Sequence, residues 1–383
     1  MIVGGRLTSA STINIQAANN INLTNDIVPA DINGNITLNS TGGNIVTRAI
    51  DTGNSGAIAL TAFGNVNFGN LRGSQVNVIS NSGALGVLND PNTIVPNTTP
   101  ASVTATENVT LAAPGDLNVG NLTGSTVGAT SRTGNVATGA IASTGDVRVV
   151  AGQQIITAPI TVNPIAANPV NPTTPTVNLD ANTNINVASV NAPTATVALR
   201  ATNNLTAGNL QGGAVDVSST TGNITTTNTA STGNINIRAP GNVINSGNLQ
   251  GIGVNVASNS GTVTTGNTNA TGNVAGNLQG VGINLNSTTG NVTAGNLTAA
   301  EQVGISAGQQ IQTGTVNITR PTTQPVNPLS AVTLNAGNNI SAIGINAPAT
   351  RIVSRTPTNF TAGNLQGSAV DVNSGGNIAI GNT

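Results

Sequence analysis

The sequence contains no cysteine, histidine, tryptophan or tyrosine, and only 1% of its 383 residues are aromatic and 5% charged. Nucleophilic triads need a base that is usually histidine, and structural zinc sites are built from Cys and His. Nucleic-acid binding uses a basic stripe with stacking aromatic rings, whereas the 10 cationic residues, all arginine, are scattered. We therefore predict no enzyme, no cofactor, no metal site and no nucleic-acid partner. The absence of cysteine is compatible with both the cytosol and the cell exterior.

Long apolar runs are missing as well. No stretch approaches the roughly 18 consecutive apolar residues of a membrane span. Met1 to Ala10 lacks the basic and apolar regions of a secretory signal. Because the sequence starts among strand-like residues and stops at Gly381-Asn382-Thr383 in mid-repeat, we expect it to be a segment of a longer protein.

What the sequence does contain is a repeated pentapeptide. Gly-Asn-Leu-Gln-Gly, with Arg or Thr in the fourth position of two copies, begins at Gly69, Gly120, Gly208, Gly247, Gly276 and Gly363. Such self-similarity indicates a stack of similar coils, each coil being one turn of a solenoid. Since glycine and asparagine tolerate positive φ, we predict that these six glycines are structural bend positions.

Short alternating segments lie between the bends. Residues 215–217 (VDV), 235–237 (INI) and 254–256 (VNV) have β-branched side chains with a period of two, which predicts strands with one buried face. The dense Gly, Asn, Thr and Val disfavour helix. The alternative of disorder is disfavoured because 37% of the residues are hydrophobic and few are charged.

The spacing of these segments gives the coil length. Ile235 and Val254 are 254 − 235 = 19 residues apart, and Gly276 and Gly295 also differ by 295 − 276 = 19. The interval from Gly247 to Gly276 is 29, which predicts an inserted stretch around 267–276. Above this period, 151–158 (AGQQIITA) matches 307–314 (AGQQIQTG) at an offset of 156. We predict a super-repeat covering 151–306 and, in part, 307–383.

These observations predict an all-β fold, a right-handed parallel β-helix of 19–20-residue coils that forms one continuous segment over 1–383. The Pro-rich tracts 91–100, 159–175 and 321–328 are expected to be extruded loops, because proline removes backbone donors. The interior is expected to hold ladders of Val, Ile, Leu and Ala, with Phe63, Phe68 and Phe360 filling gaps. Asparagines at equivalent bends are expected to form amide ladders between coils.

The repeat style, Gly-Asn-aliphatic with Gly-Asn-Leu-Gln-Gly bends, resembles the filamentous haemagglutinin exoproteins of the two-partner secretion class. The resemblance covers essentially the whole chain. That family's secretion domain carries NPNL and NPNG motifs, whereas 163–165 (NPI), 168–170 (NPV) and 171–173 (NPT) only partly match them. The resemblance therefore implies the shaft of such a protein, exported through an outer-membrane pore to the cell surface or the exterior.

The function expected from these features is structural: a fibrous shaft for adhesion, matrix or filament assembly, stacking end to end with copies of itself or continuing in a longer chain, with a surface glycan or receptor as a possible partner. Two alternatives stay open. A carbohydrate-active β-helix would need clustered acids, but Asp216 and Asp371 are expected to be outward polar residues and calcium is not predicted. An ice-binding solenoid would need flat Thr-Xaa-Thr rows, for which 225–227 and 262–265 are the candidates.

Overall fold

The computed structural model describes residues 2–3, 11–27, 34–86, 100–164, 174–245, 247–270, 282–319 and 331–381, and every regular element in these ranges is a β-strand. The strands pair in parallel and stack as a β-solenoid of about 16 turns. The predicted all-β, parallel β-helix is therefore confirmed, while its right-handed winding stays a prediction. No helix long and apolar enough to cross a membrane occurs in the described part of the chain.

Two compact units divide the chain, Met1–Ala195 and Thr196–Thr383. In each unit a regular coil consists of a long strand followed by two short strands, with a bend after each. Within a unit, the long strands form face A, the first short strands face B and the second short strands face C. The continuity of 1–383 and the super-repeat remain predictions.

In the first unit most strands end at a bend, so that each strand belongs to one face only. Face A comprises Thr12–Ala17, Asn35–Ser40, Ile58–Ala62, Val76–Ser80, Asn108–Ala113, Thr126–Ser131, Val147–Ala151 and Thr176–Ala181. Face B comprises Ile2–Val3, Ile21–Leu23, Ile45–Thr47, Val66–Phe68, Leu117–Val119, Val136–Thr138 and Ile155–Thr157. Face C comprises Ile50–Asp51, Leu71–Gly73, Val103–Ala105, Leu122–Gly124, Ile141–Ser143 and Ile160–Val162.

In the second unit several strands continue through the bends. The separate strands are Ile224–Thr226, Thr229–Ser231, Ile235–Ala239, Val243–Asn245, Leu249–Gly251, Val254–Ser258, Val263–Thr265, Thr268–Ala270, Gly282–Ser287, Val292–Ala294, Leu297–Ala299, Gln302–Ala307, Ala331–Ala336, Phe360–Ala362 and Ile378–Ile380. The continuous strands, which cover more than one face, are Leu205–Ser219, Ile311–Ile318, Ile340–Thr356 and Leu365–Ser374. Ile185–Ala201 is continuous in the same way, and most of it belongs to the first unit.

Alternate residues of each strand form the core. Along Val147–Ala151 the first, third and fifth side chains are buried and the other two face outward. In both units the buried hydrophobic residues are nearly all Val, Ile, Leu and Ala. Each large aliphatic side chain contributes about 1.5–3 kcal/mol on burial. The predicted aliphatic ladders are therefore present, and a strand shifted by one residue would turn them outward.

Strand pairing gives the length of each coil directly. Ile235 pairs with Val254, and 254 − 235 = 19, whereas Val215 pairs with Ile235, and 235 − 215 = 20. Val254 in turn pairs with Ile283, and 283 − 254 = 29. Thr268–Ala270 still pairs in register with the preceding coil. The predicted insertion is therefore present, but it follows residue 270.

The Pro-rich tracts are described only at their flanks. Ile160–Val162 is a strand that pairs with Ile141–Ser143, so the first residues of the tract predicted as a loop at 159–175 belong to a coil, and 165–173 lie outside the described residues. Val147 pairs with Val177, and 177 − 147 = 30, about ten residues more than a regular coil. Of the tract 91–100 only Pro100 is described, and 321–328 lies outside the described residues.

The three phenylalanines differ in their environments. Phe68 and Phe360 are 3% and 0% exposed and fill the core as predicted. The prediction for Phe63 is wrong, because this side chain is 51% exposed. Phe63 follows Ala62, the last inward-facing residue of its strand, and lies in the bend where the alternation ends.

Candidate functional site

The repeated pentapeptide forms the bend between faces B and C. In the copy that begins at Gly247, the next residue completes the bend, Leu249 is the first buried residue of face C and Gln250 faces outward. The structure places Gly69, Gly120, Gly247 and Gly363 in such bends and Gly208 at the corresponding point of the continuous strand Leu205–Ser219. Gly276 lies outside the described residues.

Close stacking of coils, rather than positive φ, explains the glycine in these bends. Among the described residues only Gly53 and Gly86 have a positive φ. The expectation that glycine occurs in these bends because it tolerates positive φ is therefore wrong. A Cβ atom at Gly120 would lie 2.4 Å from the carbonyl oxygen of Pro100 in the preceding coil. At Gly247 it would lie 2.3 Å from a side-chain oxygen of the preceding coil. At these two glycines the space that a side chain would need is thus already occupied by atoms of the preceding coil.

Asparagines beside these glycines connect one coil to the next. Before face B, Asn204 Oδ1 accepts a hydrogen bond from the backbone N–H of Asn223 at 2.9 Å. Asn223 Oδ1 accepts from Asn242 N–H at 2.7 Å, and Asn242 Oδ1 from Thr262 N–H at 2.8 Å. In the first unit the same contact connects Asn20 to Asn44, Asn44 to Asn65, Asn65 to Ala84, Asp116 to Asn135 and Asn135 to Gln154.

The ladder differs in one respect from the expectation. Most rungs run from a side-chain oxygen to a backbone N–H, and direct amide contacts, such as Asn228 Nδ2 to Asn209 Oδ1 at 3.2 Å, are fewer. The side chain thereby satisfies a backbone donor at the corner of the coil, where no strand partner is present. The sequence predicted a ladder of asparagines, but which groups donate the hydrogen bonds depends on the geometry of the bend.

Replacing Asn242 by alanine is expected to destabilise the unit 196–383 by about 0.5–1.5 kcal/mol, because the Thr262 N–H exchanges its protein acceptor for water. Asn242→Asp keeps an acceptor oxygen in the same position, as Asp116 does toward Asn135 at 2.7 Å. We expect the aspartate variant to retain most of the stability. Denaturant unfolding of both variants tests this, and equal losses would contradict the role of the side-chain oxygen.

Serines at the ends of the face A strands form a second connection, which the sequence analysis missed. Ser258 Oγ donates to Gly241 O of the preceding coil at 2.6 Å and accepts from Gly261 N–H of its own bend at 2.9 Å. The signal is Ser-Xaa-Xaa-Gly at the coil period. The same pair of hydrogen bonds is made by Ser40, Ser80, Ser131, Ser219 and Ser287.

The aspartates considered for carbohydrate contact lie on the outer side of face A. Asp216 is 3.9 Å from Arg200, and Asp371 is 3.1 Å from Arg351 and 4.0 Å from Arg355. All five side chains are about half exposed, so each pair contributes at most about 1 kcal/mol. In the described ranges, no three acidic residues are grouped as a metal site would require.

The threonine runs form a single outward column on face B of the second unit. Thr225 and Thr264 face outward, but Ile244 lies between them in register. Thr226 and Thr265 are buried inside the coil. Paired rows of threonine, as expected for an ice-binding face, are therefore not formed by these two runs.

The last described coil has an uncovered inner surface. Val370, Ile378 and Ile380 are 47%, 49% and 51% exposed, although they occupy inward-facing positions. One coil earlier, Ile352 and Phe360, which pair with Val370 and Ile378, are fully buried. The inward side chains of a coil are therefore buried by the coil that stacks on it.

The coil-to-coil contacts are thus the candidate functional site, and they are built from bend glycines, asparagine oxygens, serine hydroxyls and inward aliphatic residues. In each case one coil supplies a hydrogen-bonding or aliphatic group, and the neighbouring coil supplies its partner. The chain matches no protein-family model, and no curated protein or solved structure is significantly similar to it.

Proposed function

We propose that this chain is a shaft segment of a secreted or cell-surface fibrous protein, which serves adhesion, matrix or filament assembly. The observation that carries the proposal is the stacking of similar coils, in which parallel strands, bend asparagines and inward aliphatic side chains pair each coil with the next. The repeat style, which resembles that of filamentous haemagglutinin exoproteins, supports the same function. On this proposal the activity belongs to the stack of coils as a whole.

The group that covers the inward side chains of each described coil is the next coil, and the same kind of coil fits the inner surface formed by Val370, Ile378 and Ile380. Every strand pairing between described coils is parallel, so the free strand edges of Leu365–Ser374 and Ile378–Ile380 match another parallel strand. Such a coil would cover the exposed aliphatic side chains and pair the free backbone groups. It comes either from continuation of the same chain or from a second copy.

Charge placed on the uncovered surface is expected to abolish end-to-end association of the chain 1–383. Ile378→Lys combined with Ile380→Lys puts two ammonium groups where an apolar coil has to dock. Ala379→Lys is the matched control, because Ala379 pairs with the outward-facing Thr361. Sedimentation velocity over a concentration series, with electron microscopy, compares the three proteins.

We expect wild type and Ala379→Lys to form concentration-dependent oligomers and the double variant to remain monomeric. A wild-type chain that is monomeric at every concentration would contradict docking of copies, and continuation in a longer chain would then be the supported version. Localisation is tested separately by cell fractionation with an antibody. Detection in the cytoplasm alone would contradict the secreted or surface-exposed function.

A further inference from the structure

One outward column of face C in the second unit consists mainly of amide side chains. Strand pairing places eight outward positions in one unbroken register, each on the coil after the previous one. In order these are Gln211, Ala230, Gln250, Asn269, Thr298, Asn317, Asn346 and Gln366. We call these eight residues the amide column. The glutamine of the repeated pentapeptide therefore belongs to it.

The amides of this column differ from those in the bends. Asn223 and Asn242 are bonded to the adjacent coils, whereas no hydrogen bond joins the side chain of Gln250 or Asn317 to any described residue. The same holds for the other four amides of the column. Stacking of coils therefore does not explain why amide residues recur at these positions.

The column is also free of charge. None of its eight residues is ionisable, and the charged residues of the continuous strands that pass through it, such as Asp216 and Asp371, lie on face A. In the first unit, by contrast, the outward column of face C begins with Asp51 and Arg72, which are 3.9 Å apart. A neutral surface of groups that each donate and accept hydrogen bonds is complementary to itself.

The geometry points to a second copy of this chain as the partner of the amide column, docked side by side about a two-fold axis. Successive strands of a sheet are about 4.8 Å apart. Another stack of coils has the same spacing, so its polar groups stay in register over the whole length. A polymer of different repeat, such as a nucleic acid with about 3.4 Å per base, would drift out of register.

The order of residues favours an antiparallel arrangement. A two-fold axis between the fourth and fifth positions makes the column face itself in reverse. Gln250 then faces Asn317 of the second copy. At the two ends Gln211 faces Gln366, so that amides face amides. The smaller side chains at the second and fifth positions each face an asparagine, which leaves room for side chains to interdigitate.

The area of the column predicts weak association. Seven intervals of about 4.8 Å give a length of about 34 Å, and a three-residue strand is about 10 Å wide. The contact is therefore about 340 Å² per copy, less than half of the roughly 800 Å² per partner in a standard stable interface. Association is expected at high protein concentration and should reverse on dilution.

This lateral association goes beyond the proposed end-to-end stacking, and it is measured with the ends blocked. In the Ile378→Lys, Ile380→Lys protein, sedimentation equilibrium up to about 1 mM gives the dimer dissociation constant. Adding Gln250→Lys and Asn317→Lys places like charges opposite each other across the axis. We expect the dissociation constant to rise about ten-fold or more. The matched control, Thr264→Lys with Thr293→Lys on face B, is expected to leave it unchanged.

A charge-swap variant tests the antiparallel arrangement. Gln250→Lys with Asn317→Glu places opposite charges together across the proposed axis, so association should be retained or strengthened at low salt. In a parallel arrangement the same variant would oppose like charges and weaken association. The inference is overturned if the end-blocked protein is monomeric at about 1 mM, or if the face B control weakens association as much as the lysine pair does. None of these results depends on whether coils stack end to end.

Discussion

Replacing Gly266 by alanine is expected to lower the free energy of unfolding of the unit 196–383 by about 1–3 kcal/mol. The added Cβ would lie 2.2 Å from the carbonyl oxygen of Gly247 in the preceding coil. The backbone has little freedom to move away, because Gly266 N–H donates to Asn245 O at 3.1 Å. The clash is therefore between two main chains. Thermal and denaturant unfolding, with hydrogen exchange at this bend, measure the effect.

Gly304 provides the matched control for this substitution. It lies on the strand Gln302–Ala307 and is outward-facing, and a Cβ there would have its nearest contact at 3.6 Å, to Asn284 Oδ1. This is an ordinary van der Waals distance. Because alanine restricts the unfolded chain more than glycine does, Gly304→Ala is expected to be neutral or to stabilise by up to about 1 kcal/mol. Similar losses in both variants would show that crowding at the bend is not the reason for glycine.

The strands and the coil length could be predicted from the sequence because both are local properties. The alternation in Val215-Asp216-Val217 indicates a strand with one buried face without reference to any other residue. The interval from Ile235 to Val254 gives the coil length, since each coil repeats the same strand. Even the insertion after residue 270 was detectable, because it changes the interval between two copies of one motif.

The roles of the bend residues could not be predicted, because they depend on the neighbouring coil. Whether Gly266 needs positive φ or close approach is decided by the position of Gly247, 19 residues earlier, since 266 − 247 = 19. The partner of the Ser258 hydroxyl is likewise a carbonyl of the preceding coil. Phenylalanine is a residue type that usually packs in the core. Phe63, however, lies one residue beyond the alternating inward and outward positions of its strand and is therefore in a bend.

The amide column shows the same limit for surface function. Gln250 and Asn269 are 269 − 250 = 19 residues apart, but Asn269 and Thr298 differ by 298 − 269 = 29 because an insertion separates them. In the sequence, the column therefore loses its period wherever additional residues separate two coils. Only the pairing of strands shows that its members lie in one row. Four of the five described copies of the pentapeptide begin in a bend, while the glutamine in the fourth position belongs to a different surface.

In a second matched pair, Phe360→Ala is expected to lower the free energy of unfolding more than Phe63→Ala does. Phe360 is fully buried and pairs in register with Ile340 on one side and Ile378 on the other. Phe360→Ala removes most of this side chain from the core and leaves a cavity, a change that costs about 3–5 kcal/mol. Because solenoid coils depend mainly on their neighbours, the loss should appear first as local opening of the coils that contain Phe360 and Ile378.

Phe63→Ala is the control, since the same atoms are removed from a side chain that is 51% exposed. Surface substitutions usually change stability by less than about 0.5 kcal/mol, so this variant should unfold like wild type. Hydrogen exchange read by mass spectrometry separates the two cases, with faster exchange expected over Phe360–Ala362 and Ile378–Ile380 only in Phe360→Ala. If Phe63→Ala were equally destabilising, the bend after Ile58–Ala62 would contribute to packing that its exposure does not show. If Phe360→Ala were neutral, packing of the core would not stabilise the last coils. The proposal that a further coil docks on the inward aliphatic side chains at Ile378 would then lose its physical basis.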